Sequence, residues 1–406
     1  MHHSSRFDSG PASARHGYHR RRNRHAIVSI PLFVPSYRVD ECLAEMRLCL
    51  EKGWTGLGFK TLEFEDAWKS YTGLPHAHFL SSNTVGLHLA LHVLKRRLGW
   101  ADGDEVISTP ITFVSTNEVI LHAGLAPVFA DVDESGCLDP ASVAERISPR
   151  TRAVMFVGLG GNTGRYDRIR ELCRERGLAL VLDAAHMSGT RDATARHVGH
   201  DADVTVFSFH SVKNLPTADG GMICFAREED DVRARKLSWL GIDKDTFART
   251  EGSGAYKWRY EVDEVGFKYH GNSLMAAIGL VQLRYLDEDN AYRRQLAQWY
   301  DEALDGAPGI ARVPTRDGIE SSRHLYQVRV AHRDAFMVAL NGDQIFPGVH
   351  YRDNTEYAIF AGARGTCPAA RAFSAEVVSL PMHLRMTRAD VARVGERARH
   401  HAARGA

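Results

Sequence analysis

The segment from Leu178 to Gly221 constrains the fold more than any other part of the chain. It opens with Leu178-Ala179-Leu180-Val181-Leu182, an apolar run of buried-strand length, and delivers Asp183-Ala184-Ala185-His186 at its end. Val204-Thr205-Val206-Phe207-Ser208-Phe209 repeats the pattern and leads into His210-Ser211-Val212-Lys213-Asn214. Asp219-Gly220-Gly221 then turns the chain into another apolar run, Met222-Ile223-Cys224-Phe225. Short apolar strands with helical segments between them predict a parallel sheet, and such a sheet gathers its ligands at the carboxyl ends of its strands. That rule brings an acid, Asp183, and a lysine, Lys213, to one rim.

Alone, an Asp at a strand end is a turn former or helix cap, and a lone Lys is a solvated side chain. Together on one rim they match what pyridoxal 5'-phosphate (PLP) needs. The lysine anchors the cofactor covalently, and the acid keeps the pyridine nitrogen protonated so that the ring can accept electrons. The segment resembles the DegT/DnrJ/EryC1/StrS family of PLP-dependent sugar aminotransferases. That family shows D-A-A-(Q/H), then S-F-(H/F)-x-x-K-N-L, then a G-G hairpin. Here these read Asp183-Ala184-Ala185-His186, then Ser208-Phe209-His210-Ser211-Val212-Lys213-Asn214-Leu215, then Gly220-Gly221.

The resemblance covers nearly all of the chain after about residue 27. It implies an α/β protein of the fold-type-I PLP-dependent transferase class, aspartate aminotransferase-like. A large, mostly parallel-sheet domain with an N-terminal arm is expected over 27–286, and a small C-terminal α/β domain over 287–406. It implies Lys213 as covalent anchor and proton shuttle, Asp183 as partner of the ring nitrogen, Ser208 as a phosphate ligand and His186 as a cofactor or substrate contact. Some family dehydratases carry His at the lysine position, so Lys213 favours transamination.

Ser81-Ser82-Asn83-Thr84 precedes a helix expected over Val85 to Arg97. Small hydroxyl residues at a helix start are ordinary N-caps, but free N–H groups and the helix dipole also bind phosphate. The family has S-(G/C)-T-x-A-L here and cradles the PLP phosphate with it. Ser82, Asn83 and Thr84 therefore take that role, with Asn83 in place of the usual small residue. Thr112-Phe113-Val114-Ser115-Thr116 matches the family's T-F-x-(A/S)-T, which implies that Phe113 stacks on the pyridine ring. The strand Thr151 to Val157 ends in Gly158-Leu159-Gly160-Gly161-Asn162-Thr163-Gly164. This does not meet the dinucleotide fingerprint G-x-G-x-x-G. It matches the family's V-H-x-x-G turn with Gly158 replacing His, and Asn162 is expected to contact substrate or the ring hydroxyl.

Further on, Val265-Gly266-Phe267-Lys268-Tyr269-His270-Gly271-Asn272 precedes an apolar helix expected over Ser273 to Leu286. The family writes G-(Y/F)-N-Y-R-M here, and its Asn reaches across a dimer interface to the neighbour's phosphate. Lys268 stands at that position and His270 at the Arg position. A lysine suits a phosphate as a point charge, which implies a homodimer with a shared active site. In the last third, Leu325 to Val330, Val349-His350-Tyr351 and Ser379 to His383 read as strand-like. They resemble the family's H-L-F, V-H-Y and L-P-(L/M)-H elements. His324 and the loop His350-Tyr351-Arg352 are expected on the substrate side of the cleft.

Composition excludes several alternatives. With 51 basic and 50 acidic residues among 406, the chain carries no global field that points to nucleic acid or membrane. Six scattered cysteines form no C-x-x-C pair, so a disulfide framework or zinc site is not expected, and a cytoplasmic location is. No run approaches the ~18 apolar residues of a spanning helix. Residues 1–26, with Arg20-Arg21-Arg22-Asn23-Arg24, read as a disordered basic extension. The expected reaction moves an amino group from L-glutamate or L-glutamine, through pyridoxamine phosphate (PMP), to a keto sugar, foremost a nucleotide-linked keto-deoxy sugar. Amination of a cyclitol ketone, dehydration of the aminohydroxybenzoate synthase type and a non-catalytic PLP sensor remain as alternatives.

Overall fold

The computed structural model describes residues 29–243 and 260–405. The basic extension expected at the N-terminus lies outside them. The larger sheet holds β1 (His78–Leu80), β2 (Glu105–Ser108), β3 (Ala126–Phe129), β4 (Thr151–Val157), β5 (Ala179–Asp183), β6 (Val204–Ser208) and β7 (Gly221–Phe225). Their spatial order is β1-β7-β6-β5-β4-β2-β3. From β6 to β3 all neighbours are parallel, and β7 runs antiparallel between β6 and β1.

The apolar runs are continuous because both faces of this sheet are covered. Side chains alternate across a strand, so each strand feeds two cores. Val154, Phe156, Leu180 and Leu182 join Phe64 and Trp68 of α2 (Phe59–Thr72) and Ile169 and Cys173 of α6 (Tyr166–Arg176). Met155, Val181, Val204 and Val206 instead meet Leu87, Leu91 and Leu94 of α3 (Asn83–Leu98) and Ala234 and Leu237 of α7 (Glu228–Ser238). Each such side chain, fully buried, contributes about 1.5–3 kcal/mol. The other helices around this sheet are α1 (Val39–Glu51), α4 (Ser115–His122), α5 (Pro140–Arg146) and α8 (Ser273–Arg284). All six cysteines are buried and unpaired. No helix among the described residues is long and apolar enough to cross a membrane.

A second, three-stranded antiparallel sheet holds β8 (Ala311–Arg312), β9 (Tyr326–Arg329) and β10 (Val377–Leu380), in the order β10-β9-β8. It packs with α9 (Leu286–Leu304), α10 (Arg333–Gly342) and α12 (Arg388–Ala403) around Tyr300, Val328, Phe336 and Val394. The short α11 (Pro368–Glu376) leads into β10. Ile30 belongs to this core although it stands near the start of the chain, because it exchanges backbone hydrogen bonds with Gln344 and Phe346.

Three local expectations differ from the fold. Val349-His350-Tyr351 is irregular backbone, next to the bridge between Gly348 and Ser379 of β10. The apolar helix after Asn272 stops at Arg284, and α9 begins at Leu286. The strands β1 and β8 were not anticipated, being three and two residues long.

Candidate active site

The carboxyl ends of β4, β5 and β6 meet the start of α3 and the loop before α4 around a cavity of about 420 Å³. Close approach at this rim depends on Gly221. A Cβ there would stand 2.6 Å from the backbone of Ser82 and Asn83, so any side chain would push the start of α3 away from β7.

Asp183, the last residue of β5, lines the cavity and is 3% exposed. Its Oδ1 accepts hydrogen bonds from Asn83 Nδ2 at 3.3 Å and the Ala185 backbone N at 3.1 Å. Its Oδ2 accepts from Thr116 Oγ1 at 2.8 Å, and Thr112 Oγ1 stands 2.9 Å from Thr116 Oγ1. Burial pushes this carboxyl above the usual carboxylate range, and those donors act to hold it down. It forms no ion pair among the described residues. A buried carboxylate without a cation is completed by one that a ligand brings.

Lys213 lies across the same cavity. Loss of water around its amine lowers its pKa to about 8, with the Asp183 charge opposing. The ammonium makes no hydrogen bond or ion pair among the described residues. At neutral pH a useful fraction is therefore the free amine, which is the nucleophilic form.

Ser82, Asn83, Thr84 and Ser208 line the cavity at the start of α3 and the end of β6. Ser82 caps α3 by accepting from the Val85 backbone N at 3.3 Å. The Asn83 side chain turns instead to Asp183 and to the Val206 carbonyl, at 3.1 Å. It orients the acid, which leaves only its backbone to an anion. Phe113 is 60% exposed and faces the cavity 6.3 Å from the Tyr351 ring. An aromatic held this far out of the core offers its face to a planar ligand.

His186, His324, His350 and Tyr351 close the opposite side. The His186 and His324 rings pack at 4.3 Å between centres, tilted by 37°. His324 Nδ1 bonds Asn214 Oδ1 at 2.9 Å, and His350 Nδ1 bonds Ser379 Oγ at 2.9 Å. Burial holds all three imidazoles below their ordinary pKa, His350 at about 4. They are neutral at pH 7.

Two expected contacts, Asn162 and Arg352, are not brought to this cavity, and Lys268, expected at the neighbour's phosphate, lies outside it as well. Asn162 donates to the Pro314 carbonyl at 2.8 Å and accepts from the Gly164 and Arg316 backbone N–H groups, so it braces a turn. Arg352 is exposed and lies over the Tyr357 ring at 5.0 Å. Lys268 is exposed, with its ammonium 3.1 Å from the centre of the Trp239 ring. Conversely, Thr112, Thr116, Asn214 and Phe33 were missed. The threonine pair left a trace in the sequence, as two hydroxyls four residues apart beside Phe113, and Asn214 stands in the lysine motif.

The profile of the DegT/DnrJ/EryC1/StrS aminotransferase family matches residues 37–399. The chain belongs to this family. The spore coat polysaccharide biosynthesis protein SpsC of Bacillus subtilis is 36% identical over 316 residues, spanning 78% of each chain. The sugar aminotransferase CalS13 from Micromonospora echinospora superposes with a TM-score of 0.83 at 31% identity, covering 91% of this chain and 99% of its own. Spr1654 from Streptococcus pneumoniae, solved in a PMP-form and a PLP-form, gives TM-scores of 0.85 and 0.84 at 27% identity, covering 93% of this chain and 100% of its own. This member of the family is a PLP-dependent sugar aminotransferase of fold type I. Its residues fit the cofactor. Lys213 is an amine of lowered pKa and Asp183 a buried carboxylate, neither in an ion pair among the described residues, and α3 presents its N-terminus to the same space.

Proposed function

We propose that this aminotransferase takes an amino group from L-glutamate or L-glutamine, carries it as PMP, and delivers it to the ketone of a sugar, foremost a nucleotide-linked keto-deoxy sugar. The observation that carries the reading is the placement of Lys213 and Asp183 in one cavity with no ion pair for either among the described residues. The bound cofactor supplies the aldehyde or amine and a ring that withdraws electrons.

The chain's own residues do the rest. Asp183 holds a proton at the ring nitrogen, and Thr116 and Asn83 hold Asp183. The backbone at Ser82, Asn83 and Thr84, together with Ser208, binds the phosphate, and Phe113 covers the ring. Lys213 would hold the cofactor through its aldehyde, and its free amine would serve to move a proton during the transfer. His324, His350 and Tyr351 face the substrate.

A homodimer with a shared site completes this reading. Lys268 does not line the cavity of its own chain, and Val262 and Val265, a few residues before it, are exposed at 54% and 87%. A second copy covering this face would hide those side chains and bring an ammonium toward the other cavity. The buried, unpaired cysteines agree with a cytoplasmic setting.

The test is to follow the visible absorption of the PLP-loaded protein on adding L-glutamate, then L-glutamine, while assaying the matching oxo acid, 2-oxoglutarate or 2-oxoglutaramate. Conversion to the PMP spectrum with either donor supports the reading, and a spectrum that neither donor moves sinks it.

A further inference from the structure

The main chain fixes the tautomer of His186. The Gly160 backbone N–H donates to His186 Nδ1 at 3.1 Å, so Nδ1 is the bare nitrogen and the proton of the neutral ring sits on Nε2. Burial, with Lys213 and His350 adding repulsion, keeps the ring neutral. Gly160 cannot drift from this contact, because its carbonyl accepts from the His324 backbone N at 3.1 Å. The His324 ring packs against the His186 ring at 4.3 Å, tilted by 37°.

The consequence falls on Tyr351. His186 Nε2–H donates to the Tyr351 hydroxyl at 3.2 Å. The phenol oxygen is therefore an acceptor in that bond, and its own proton must find another partner. The hydroxyl makes no other hydrogen bond among the described residues. Tyr351 lines the cavity with Lys213 and Asp183. Burial and the Asp183 charge push its pKa well up, so it holds the proton rather than releasing it. The other groups facing it are the neutral His350 and the Phe113 ring. Neither competes for the proton.

We propose that Tyr351 is a catalytic residue whose O–H donates a hydrogen bond to the carbonyl oxygen of the ketone, and that His186 is a positioning residue that directs this proton into the cavity. The inference rests on the transfer to a ketone proposed above. When an amine nitrogen bonds to the carbonyl carbon, the C=O π pair moves onto the oxygen. Tyr351 stabilises that charge and keeps its own proton. Both protons that carry the oxygen away as water come from the attacking nitrogen. Removing one such preorganised donor slows a reaction by about 10²–10³.

The experiment compares wild type with Tyr351→Phe, His186→Gln and His186→Leu, each loaded with PMP and mixed with 2-oxoglutarate or 2-oxoglutaramate, the oxo acids of the two donors, as the probe ketone. The absorption spectrum and pH titration of each PLP-loaded protein are recorded alongside. The expected result is a slowing of about 10²–10³-fold in Tyr351→Phe, with its PLP spectrum and titration unchanged. His186→Leu should be slowed as well, and His186→Gln, whose amide can still donate to the phenol, should recover most of the rate. A Tyr351→Phe protein as fast as wild type would overturn the proposal. So would a shifted PLP spectrum in that variant, which would put the hydroxyl on the cofactor instead of the ketone. A wild-type protein inert to both oxo acids would overturn the donor reaction and this inference together, whereas the other two failures leave the donor reaction standing.

Discussion

Met187 occupies the space that a side chain at position 158 would need. A Cβ on Gly158 would stand 2.0 Å from Met187 Sδ and 2.6 Å from its Cγ. The family's usual histidine is absent here, and a buried thioether fills the end of β4 beside Asp183, whose carbonyl accepts from the Gly158 N–H at 3.2 Å. Gly158→Ala should therefore destabilise the protein by about 1–3 kcal/mol through overpacking. Met187→Ala in the same chain should relieve the clash, so the double variant loses less than the sum of the two single losses. Urea titration of the four proteins checks this, and simple additivity would show that the two residues do not compete.

Thr116 is the best placed of the Asp183 donors, at 2.8 Å. Thr116→Val keeps the shape and removes the hydroxyl, which should cost about 1–3 kcal/mol because a buried carboxylate loses a partner. Thr116→Ser should recover most of that. The Asp183 pKa is already raised, and losing a donor raises it further. The stability gap between wild type and Thr116→Val is thus present at neutral pH and should close as pH falls through the raised pKa and the acid becomes protonated. A gap that stays constant down to acid unfolding would show that Thr116 does not hold the charged form.

Much of this site was legible in the sequence because it is delivered by strand ends. Asp183, Ser208 and Lys213 lie within one contiguous stretch whose apolar runs announce a parallel sheet, and Phe113 follows another strand in the same way. What was not legible depends on side chains meeting across long separations. Asn83 reads as a phosphate cradle until its amide is seen bonding Asp183, 100 residues away. Asn214 reads as part of the lysine motif, yet it bonds Asn290 and His324, 76 and 110 residues away. Asn162 was expected to face substrate because it sits in a glycine-rich turn at a strand end. The Pro314 carbonyl, from a distant loop, captures it instead.

Lys213 makes stability depend on pH with a definite sign. Its pKa is about 8 in the folded protein, against an ordinary value of 10.5. Between those values the unfolded chain binds more protons, so the lysine's contribution to stability improves as pH rises through the window and is least favourable below pH 8. Lys213→Met, of similar length and without charge, should be more stable than wild type in the cofactor-free form, most clearly below pH 8. The difference should narrow as pH approaches 10.5. Parallel thermal melts across this range measure it, and a difference independent of pH would mean that the lysine is not desolvated.

The chain of amides behind His324 fixes a second tautomer, and its polarity can be read from its ends. Asn290 Nδ2 donates to the Ser188 carbonyl at 2.9 Å, so Asn290 Oδ1 is free to accept. Asn214 Nδ2 donates to that oxygen and to the Ser322 carbonyl, each at 2.7 Å, which turns Asn214 Oδ1 toward His324 as an acceptor. His324 Nδ1 must then carry the proton and Nε2 the lone pair. Asn214→Asp keeps an acceptor at Nδ1 but places a carboxylate beside a ring whose pKa burial has driven well down. The carboxylate favours the imidazolium, so the His324 pKa should rise and the lone pair be lost at a higher pH. The acid limb of the transamination rate should move upward in pH in this variant. Asn214→Leu, which adds no charge, should lower the rate without moving the limb upward. Single-turnover rates with L-glutamate from pH 5 to 9 separate the cases, and an acid limb unmoved in Asn214→Asp would show that the reaction does not use the unprotonated His324.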